Sequence, residues 1–235
     1  MNTIVTYIEH SCFLVETTEC YLLFDYYGGE VPLPDLDPAK PLLLFSSHAH
    51  HDHFSRKIFA LRDRYPSAIF VLSADIPVPK AVQPFACPML PHEHRLVQLA
   101  GGRAAVSIDT LRSNDEGVAF IIQLGALCIY HAGDLNNWWW DGDVEDQKLA
   151  DIYHEELEHI RGRHFTAAFI PLDPRLKGWW KGIEDFMHYA DADAIFPMHN
   201  FGEKGLPRKF LALDCTAGYK NRVFDVEEPL TCWAF

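Results

Sequence analysis

The sequence lacks the features that mark membrane, secreted and repetitive proteins. No apolar run approaches the roughly 18 residues of a membrane-spanning helix, and the N-terminal residues do not resemble a signal peptide. None of the cysteines belongs to a Cys-x-x-Cys pair, and no repeat or low-complexity segment stands out. We therefore expect a cytoplasmic protein with reduced thiols and no membrane partner.

Basic residues are also scarce. The chain has 20 lysines and arginines against 33 acidic residues, which gives a net charge of −13. A surface of this sign repels phosphate backbones, so nucleic acid is disfavoured as a partner and a small-molecule substrate is expected. Hydrophobic residues are plentiful by contrast, at 49% of 235 residues, which is enough for a sizeable core.

The order of predicted elements indicates one α/β (α+β) domain spanning residues 1–235. Short β-branched and aromatic segments at 3–8, 12–17 and 20–25 predict strands, and 144–161 is the longest helical pattern. Five prolines within 74–93 predict a loop there. Strand-rich parts alternate with helices and no linker divides them, so we expect two face-to-face sheets with helices outside, a four-layer αββα sandwich.

One stretch carries the clearest chemistry. Directly after the apolar, strand-like run 42–45, four histidines and an aspartate fall within six residues. In extended chain, residues two apart point the same way, so His48 and His50 can share one metal while Asp52 and His53 reach a second position. Imidazole and carboxylate suit Zn²⁺, at roughly 2.0–2.2 Å from the ion. The alternative is a solvated histidine-rich loop, which the strand context disfavours.

The spacing His48-x-His50-x-Asp52-His53 resembles the signature of the metallo-β-lactamase superfamily of metal-dependent hydrolases. Four further segments share the resemblance: Thr-Tyr-Ile-Glu-His-Ser at 6–11, Leu-Leu-Phe-Asp at 22–25, His-Ala-Gly-Asp at 131–134 and Pro-Met-His at 197–199. The most similar branch is that of the ascorbate-phosphate lactonase-like proteins. The resemblance implies the same αββα fold and hydrolysis of an ester, lactone, amide or phosphodiester bond in a small polar substrate. A non-catalytic metal-binding protein and a nuclease are the alternatives.

The resemblance also implies a ligand set around Zn²⁺, in one or two ions, with Mn²⁺ or Fe²⁺ as alternatives. The residues that match the family's ligands are His48 and His50 for one position, Asp52, His53 and His199 for the other, and Asp134 as the bridge. Asp52 and Asp134 are the expected catalytic residues, since they would position the activated water and move its protons.

One ligand of the family pattern has no match. A third histidine for the first position would lie at the turn between two central strands, where this chain has Ser-Asn-Asp-Glu at 113–116. Either Asp115 or Glu116 supplies an oxygen there, or the position is incomplete. We therefore expect one firm metal, at Asp52, His53, Asp134 and His199, to which His48 and His50 contribute.

Five other residues are candidates near the site. His131 is either an extra ligand or an orienting partner. Like Asp115, it lies outside the implied ligand set. His10 either faces a substrate pocket or caps a turn. Trp138 and Trp139 either form a pocket wall or anchor their loop, and Arg175 either neutralises an anionic substrate or is solvated. His51, which points away from its neighbours, is expected at the surface.

Overall fold

The computed structural model describes residues 3–102 and 104–234, so residues 1, 2, 103 and 235 of the predicted domain lie outside it. Strands follow the sequence patterns, and a last short strand closes the chain. In chain order they are β1 (Ile4–Glu9), β2 (Cys12–Glu16), β3 (Tyr21–Phe24), β4 (Leu42–Ser46), β5 (Ile69–Ser73), β6 (Ala86–Met89), β7 (His94–Gln98), β8 (Ala105–Arg112), β9 (Val118–Leu124), β10 (Leu127–His131), β11 (His164–Pro171), β12 (Asp191–Met198) and β13 (Cys232–Ala234).

These strands form two mixed sheets. Within the described residues, the first sheet has the order β13-β1-β2-β3-β4-β5-β6 and the second the order β12-β11-β10-β9-β8-β7. In the first sheet β3, β4, β5 and β6 run parallel, and in the second β10, β11 and β12 do. Parallel neighbours end at the same edge of a sheet, so residues that follow these strands come close together.

The sheets pack face to face, and strand β2 shows why. Phe13 and Val15 point into the core between the sheets, whereas Leu14 joins a second apolar cluster on the outer face. This alternation follows from the period of two in a strand. The Phe13 ring lies 4.7 Å from that of Phe169 on the opposite sheet, so aromatic contacts join the two layers.

Helices cover the outer faces. They are α1 (Leu61–Arg64), α2 (Val144–Glu158), α3 (Lys181–Tyr189) and α4 (Leu206–Leu211). Asp143 caps α2 by accepting hydrogen bonds from the backbone N–H groups of Glu145 and Asp146. Buried Tyr153 of α2 and Phe186 of α3 belong to the core cluster. The predicted αββα sandwich is confirmed. No helix in the described ranges has the length and hydropathy to cross a membrane.

The prediction of a loop over 74–93 is wrong for residues 86–89, which form a strand. Strand β6 lies within it and pairs in parallel with β5, with Pro88 opposite Leu72. Proline cannot donate to a ladder, but β6 is the edge strand of its sheet, where a missing donor is tolerated. The predicted helix at 144–161 also ends earlier, at Glu158.

Removing the aromatic contact between the sheets should destabilise the fold. We expect Phe13→Ala to lower the free energy of unfolding by about 3–5 kcal/mol, because it deletes a fully buried ring and leaves a cavity. Urea unfolding followed by circular dichroism measures this. Leu96→Ala is the control, since Leu96 is largely exposed; equal effects of both substitutions would contradict the packing described.

Candidate metal centre

The histidine motif forms the loop that follows β4, at the edge where β3 also ends. The side chains of His48 and His53 are fully buried, that of His50 is 43% exposed and that of His51 is 99% exposed. His51 therefore lies at the surface, as expected from its direction in the loop.

The fold gathers the candidate ligands into two groups. What we call the inner group contains His10, Asp52, His53 and His199, and the outer group contains His48, His50, Asp115 and Asp134. Within each group one nitrogen or carboxylate oxygen per residue lies within 4.8 Å of the others. Every residue of the implied ligand set belongs to one of them, and His10 and Asp115 join that set.

Asp134 lies between the groups. Its Oδ1 is 3.2 Å from His53 Nε2 and 3.5 Å from His199 Nε2, and its Oδ2 is 3.5 Å from His48 Nε2. One carboxylate thus faces three imidazoles, with one oxygen toward each group. This is the bridging position that the resemblance implies for Asp134.

Asp25 and Ser47 orient two of these imidazoles. Asp25, fully buried after β3, accepts hydrogen bonds from His53 Nδ1 at 2.7 Å and from Ser47 Oγ at 2.8 Å. Because the Ser47 hydroxyl donates to Asp25, its oxygen is free to accept from His48 Nδ1, 2.9 Å away. Both rings therefore carry a proton on Nδ1 and turn Nε2 toward Asp134.

Asp173 plays the same part for the third imidazole. It follows β11, is fully buried, and accepts from His199 Nδ1 at 3.2 Å. Arg175 Nε donates to the same carboxylate at 2.9 Å. Burial alone would raise the pKa of Asp173, but the hydrogen bonds from His199 and Arg175 lower it to about 2. The carboxylate therefore stays ionised and holds the His199 ring in place.

Buried nitrogens and a carboxylate oxygen face one another here without hydrogen bonds, and this is the test of whether a cation fits. Nε2 of His10, His48 and His53 and Oδ1 of Asp134 are buried and make no hydrogen bond. Burial lowers the pKa of His48 to about 4, so its imidazole is neutral. Such atoms 3.2–3.5 Å apart need a proton or a metal ion between them, since their lone pairs would otherwise repel. Nitrogen and carboxylate donors in this arrangement fit a divalent transition metal.

The carboxylates around His53 also favour positive charge at this position. Burial lowers the pKa of its imidazole, but the carboxylates of Asp134 and Asp25 outweigh burial and raise it to about 9. Burial likewise raises the pKa of Asp25, whereas His131 and His53 pull it down to about 2. A cation that binds here displaces protons from the ring nitrogens, since a ligating imidazole must be neutral.

His131 is an orienting residue rather than a ligand in this geometry. Its Nε2 donates to the Ser11 carbonyl at 3.2 Å and its Nδ1 accepts from the Gly133 N–H at 3.2 Å. The ring stacks on Phe24 with centroids 4.9 Å apart. Because both nitrogens are occupied, His131 positions the turn that leads to Asp134.

Two glycines let neighbouring turns approach the motif. Gly117 and Gly133 both have positive φ, at +72° and +54°. A Cβ on Gly117 would overlap the Ser47 carbonyl oxygen, and one on Gly133 would overlap the Ser47 side chain. Ser47 is therefore enclosed by the turns that carry Asp115 and Asp134.

An open cavity of about 410 Å³ lies over the two groups. Among its lining residues are Trp138, Trp140 and Arg175. The rings of Trp138 and Trp140 stack with centroids 6.1 Å apart. Trp139, predicted as a pocket residue, instead packs against Gly178 and Lys181. Side chains two apart share a side in this segment, so Trp140 takes its place.

His10 lies beneath the cavity rather than on its wall. Its Nε2 is 3.4 Å from Asp52 Oδ2, and its ring centroid is 4.3 Å from that of His199. The backbone N–H of His199 donates to the His10 carbonyl at 3.3 Å. His10 therefore joins the inner group, and the predicted placement of this side chain in the substrate pocket is corrected.

Sequence reasoning missed Asp25 and Asp173 as orienting residues. Each stands just past a strand whose parallel neighbour delivers a candidate ligand: β3 lies beside β4, and β11 lies beside β12. An acidic residue after such a strand is the signal that identifies them.

Fold and site together are those of the metallo-β-lactamase class: two packed sheets with a histidine- and aspartate-rich cluster at the carboxyl ends of their strands. Residues 4–152 match the family model described as a beta-lactamase superfamily domain. The chain belongs to this family, which confirms the superfamily resemblance; the lactonase-like branch stays a prediction.

Similar proteins agree with this placement. A 53-residue stretch is 45% identical to a Salinibacter ruber protein described as a metal-dependent hydrolase, covering 22% of this chain and 24% of that protein. A 51-residue stretch is 49% identical to an Opitutus terrae protein of the same description, covering 21% and 22%. The matches thus span about a quarter or less of these relatives. A metallo hydrolase from the archaeon Ignicoccus hospitalis shares the fold at 18% identity and a TM-score of 0.63, over 100% of this chain and 99% of that chain.

Removing the charge of Asp25 should weaken metal binding although every candidate ligand stays in place. We expect Asp25→Asn to weaken Zn²⁺ binding by about 10–100-fold, because the His53 ring loses the partner that fixes its proton on Nδ1. Competition with a chromogenic chelator measures the affinity. Asp75→Asn is the control, since Asp75 accepts from the backbone of Ala49 in the same loop without contacting a ring; a similar loss there would contradict the assigned role.

Proposed function

We propose that this protein is a metal-dependent hydrolase that uses activated water on an ester, lactone, amide or phosphodiester bond of a small polar substrate. One observation carries the proposal. Buried Nε2 atoms of three imidazoles and Oδ1 of Asp134 lack hydrogen-bond partners beneath an open cavity, and Oδ2 of Asp134 faces one of the same rings. The acidic surface is the reason to prefer this reading over a nuclease.

The proposed ligands are the two groups as defined above. The inner group would hold one ion and the outer group another, with Asp134 offering one oxygen to each. Zn²⁺ is the proposed metal, and Mn²⁺ or Fe²⁺ are the alternatives. A divalent ion bound there polarises a carbonyl or phosphoryl oxygen and lowers the pKa of water to about 7.

Asp52 and Asp134 are the proposed catalytic residues. Asp52 Oδ2 is engaged by His10, while the side chain is 28% exposed and lines the cavity. Burial raises the pKa of Asp52, but His10, whose Nε2 is 3.4 Å from the carboxylate, and the neighbouring His53 outweigh burial, so the carboxylate stays ionised. It can accept a hydrogen bond from the attacking water and direct the oxygen lone pair toward the substrate. Asp134, which faces the ring nitrogens and lines the cavity, would act beside it.

The cavity walls would select the substrate. Trp138 donates from Nε1 to the Asp134 carbonyl at 3.0 Å, which anchors the apolar wall to the catalytic turn. The Arg175 guanidinium lies beside this wall, 5.5 Å from the Trp140 ring centroid and 3.9 Å from that of Phe201. An apolar or planar portion of a substrate fits against the tryptophans, and an anionic portion fits beside Arg175. The volume suits a small molecule.

Two further expectations stay predictions. One is a single domain over residues 1–235, which the pairing of β1 with β13 from the other end of the chain supports. The other is the cytoplasmic location.

Turnover on model substrates tests the proposal. Metal-free protein, reloaded with Zn²⁺ or Mn²⁺, should hydrolyse at least one of p-nitrophenyl acetate, bis-p-nitrophenyl phosphate and a γ-lactone. Asp134→Asn should lower the rate by about 100-fold or more, because the shared carboxylate that orders the site is neutralised.

The matched control is Asp193→Asn, which removes an exposed carboxylate remote from the cavity and should leave the rate unchanged. Full metal loading with no turnover on any of the substrates would reject the hydrolase and favour a non-catalytic metal-binding protein.

A further inference from the structure

The two ligand groups differ in the atoms that they offer. With the shared Asp134 counted in both, the inner group has three imidazoles and two carboxylates, whereas the outer group has two imidazoles and two carboxylates. Imidazole suits zinc and its neighbours, while carboxylate oxygen suits harder ions such as Mn²⁺ and Mg²⁺. The outer group is therefore the harder of the two sets of donors.

The groups also differ in burial. In the inner group the least buried side chain is that of Asp52, at 28% exposed. In the outer group His50 and Asp115 are 43% and 44% exposed. Exposed donors exchange with water, and their charge interactions are weakened by the solvent, so a cation held by them leaves more easily.

The third difference is in how the rings are held. His53 and His199 of the inner group each give Nδ1 to a buried carboxylate. The nitrogens of the His50 ring instead face the exposed carboxylates of Asp115, with Oδ2 at 3.8 Å, and Glu116, with Oε2 at 3.4 Å. Orienting partners strengthen metal binding, and His50 has the looser surroundings.

We propose that the outer group is a weaker, exchangeable cation position that fills after the inner group and discriminates less between Zn²⁺ and Mn²⁺. Asp115 supplies the oxygen that completes it, in the place of a third histidine. This inference rests on the proposed metal-dependent function. A weaker outer position makes full loading of the centre depend on the free cation concentration.

Asp115 rather than Glu116 is the completing residue. The Asp115 carboxylate lies close enough to His48, His50 and Asp134 to share one ion with them. Glu116 is 54% exposed and lies near the His50 ring alone. The Ser113 hydroxyl accepts from the Asp115 N–H at 3.1 Å, which orders the turn that presents the Asp115 side chain.

Metal binding without any substrate tests this proposal. Metal-free full-length protein is titrated with Zn²⁺ alone and with Mn²⁺ alone, by calorimetry, and bound ions are counted by mass spectrometry after dialysis. Wild-type protein should bind Zn²⁺ in two steps. Asp115→Asn should weaken the second step by about tenfold or more and leave the first in place. Asp115→His should tighten the second Zn²⁺ step and widen its preference over Mn²⁺.

Glu116→Gln is the matched control, since it removes one charge from the same turn and should leave both steps unchanged. His159→Ala in parallel removes a surface cluster of His92, Glu156 and His159 that could take up a further ion. Thermal melting confirms that each variant is folded.

Two wild-type steps of equal affinity would overturn the proposal. Asp115→Asn with an unchanged second step would also overturn it. If Glu116→Gln rather than Asp115→Asn weakened that step, the completing residue would be misassigned and the proposal overturned as well. Intact two-step binding in a protein without turnover would instead reject only the proposed hydrolase activity, because these measurements use no substrate.

Discussion

The Asp134 carboxylate is the interaction on which the centre depends. It faces the Nε2 atoms of His48, His53 and His199 at 3.2–3.5 Å in a buried region. A carboxylate and ring nitrogens held this close in a region of low dielectric need positive charge between them, from a proton or a metal ion. The arrangement makes sense as a cation site, and it would be costly as a set of unpaired polar groups.

The fold orients the three imidazoles through their Nδ1 atoms. Asp25, Ser47 and Asp173 occupy the Nδ1 atoms of the same three imidazoles, so each ring is turned and its proton placed before any ion arrives. These partners stand at the ends of parallel strands, β3 beside β4 and β11 beside β12. The mixed sheets thus bring an orienting residue and a ligand to the same edge.

The inner and outer groups differ in burial and in exposure to the cavity. The inner group is the more buried and reaches the cavity through Asp52 and His199, whereas the outer group opens to it through the exposed side chains of His50 and Asp115. Aromatic and apolar side chains line part of that cavity, and Arg175 lies beside the Trp140 ring while it is tied to Asp173. The residue that orients His199 therefore also holds the cationic side chain at the cavity.

The sequence by itself determined the fold class and predicted the residues that gather around Asp134. Alternating strands, the spacing from His48 to His53, and Asp134 and His199 after strands are local patterns that a strand's geometry makes readable. Only the tertiary structure placed Asp115 rather than Glu116 in the outer group, brought His10 into the inner group and put Trp140 rather than Trp139 on the cavity wall. These outcomes depend on how turns from two different sheets meet in space. Residues more than 60 apart in the chain, such as His50 and Asp115, come together there only because both sheets pack on one core.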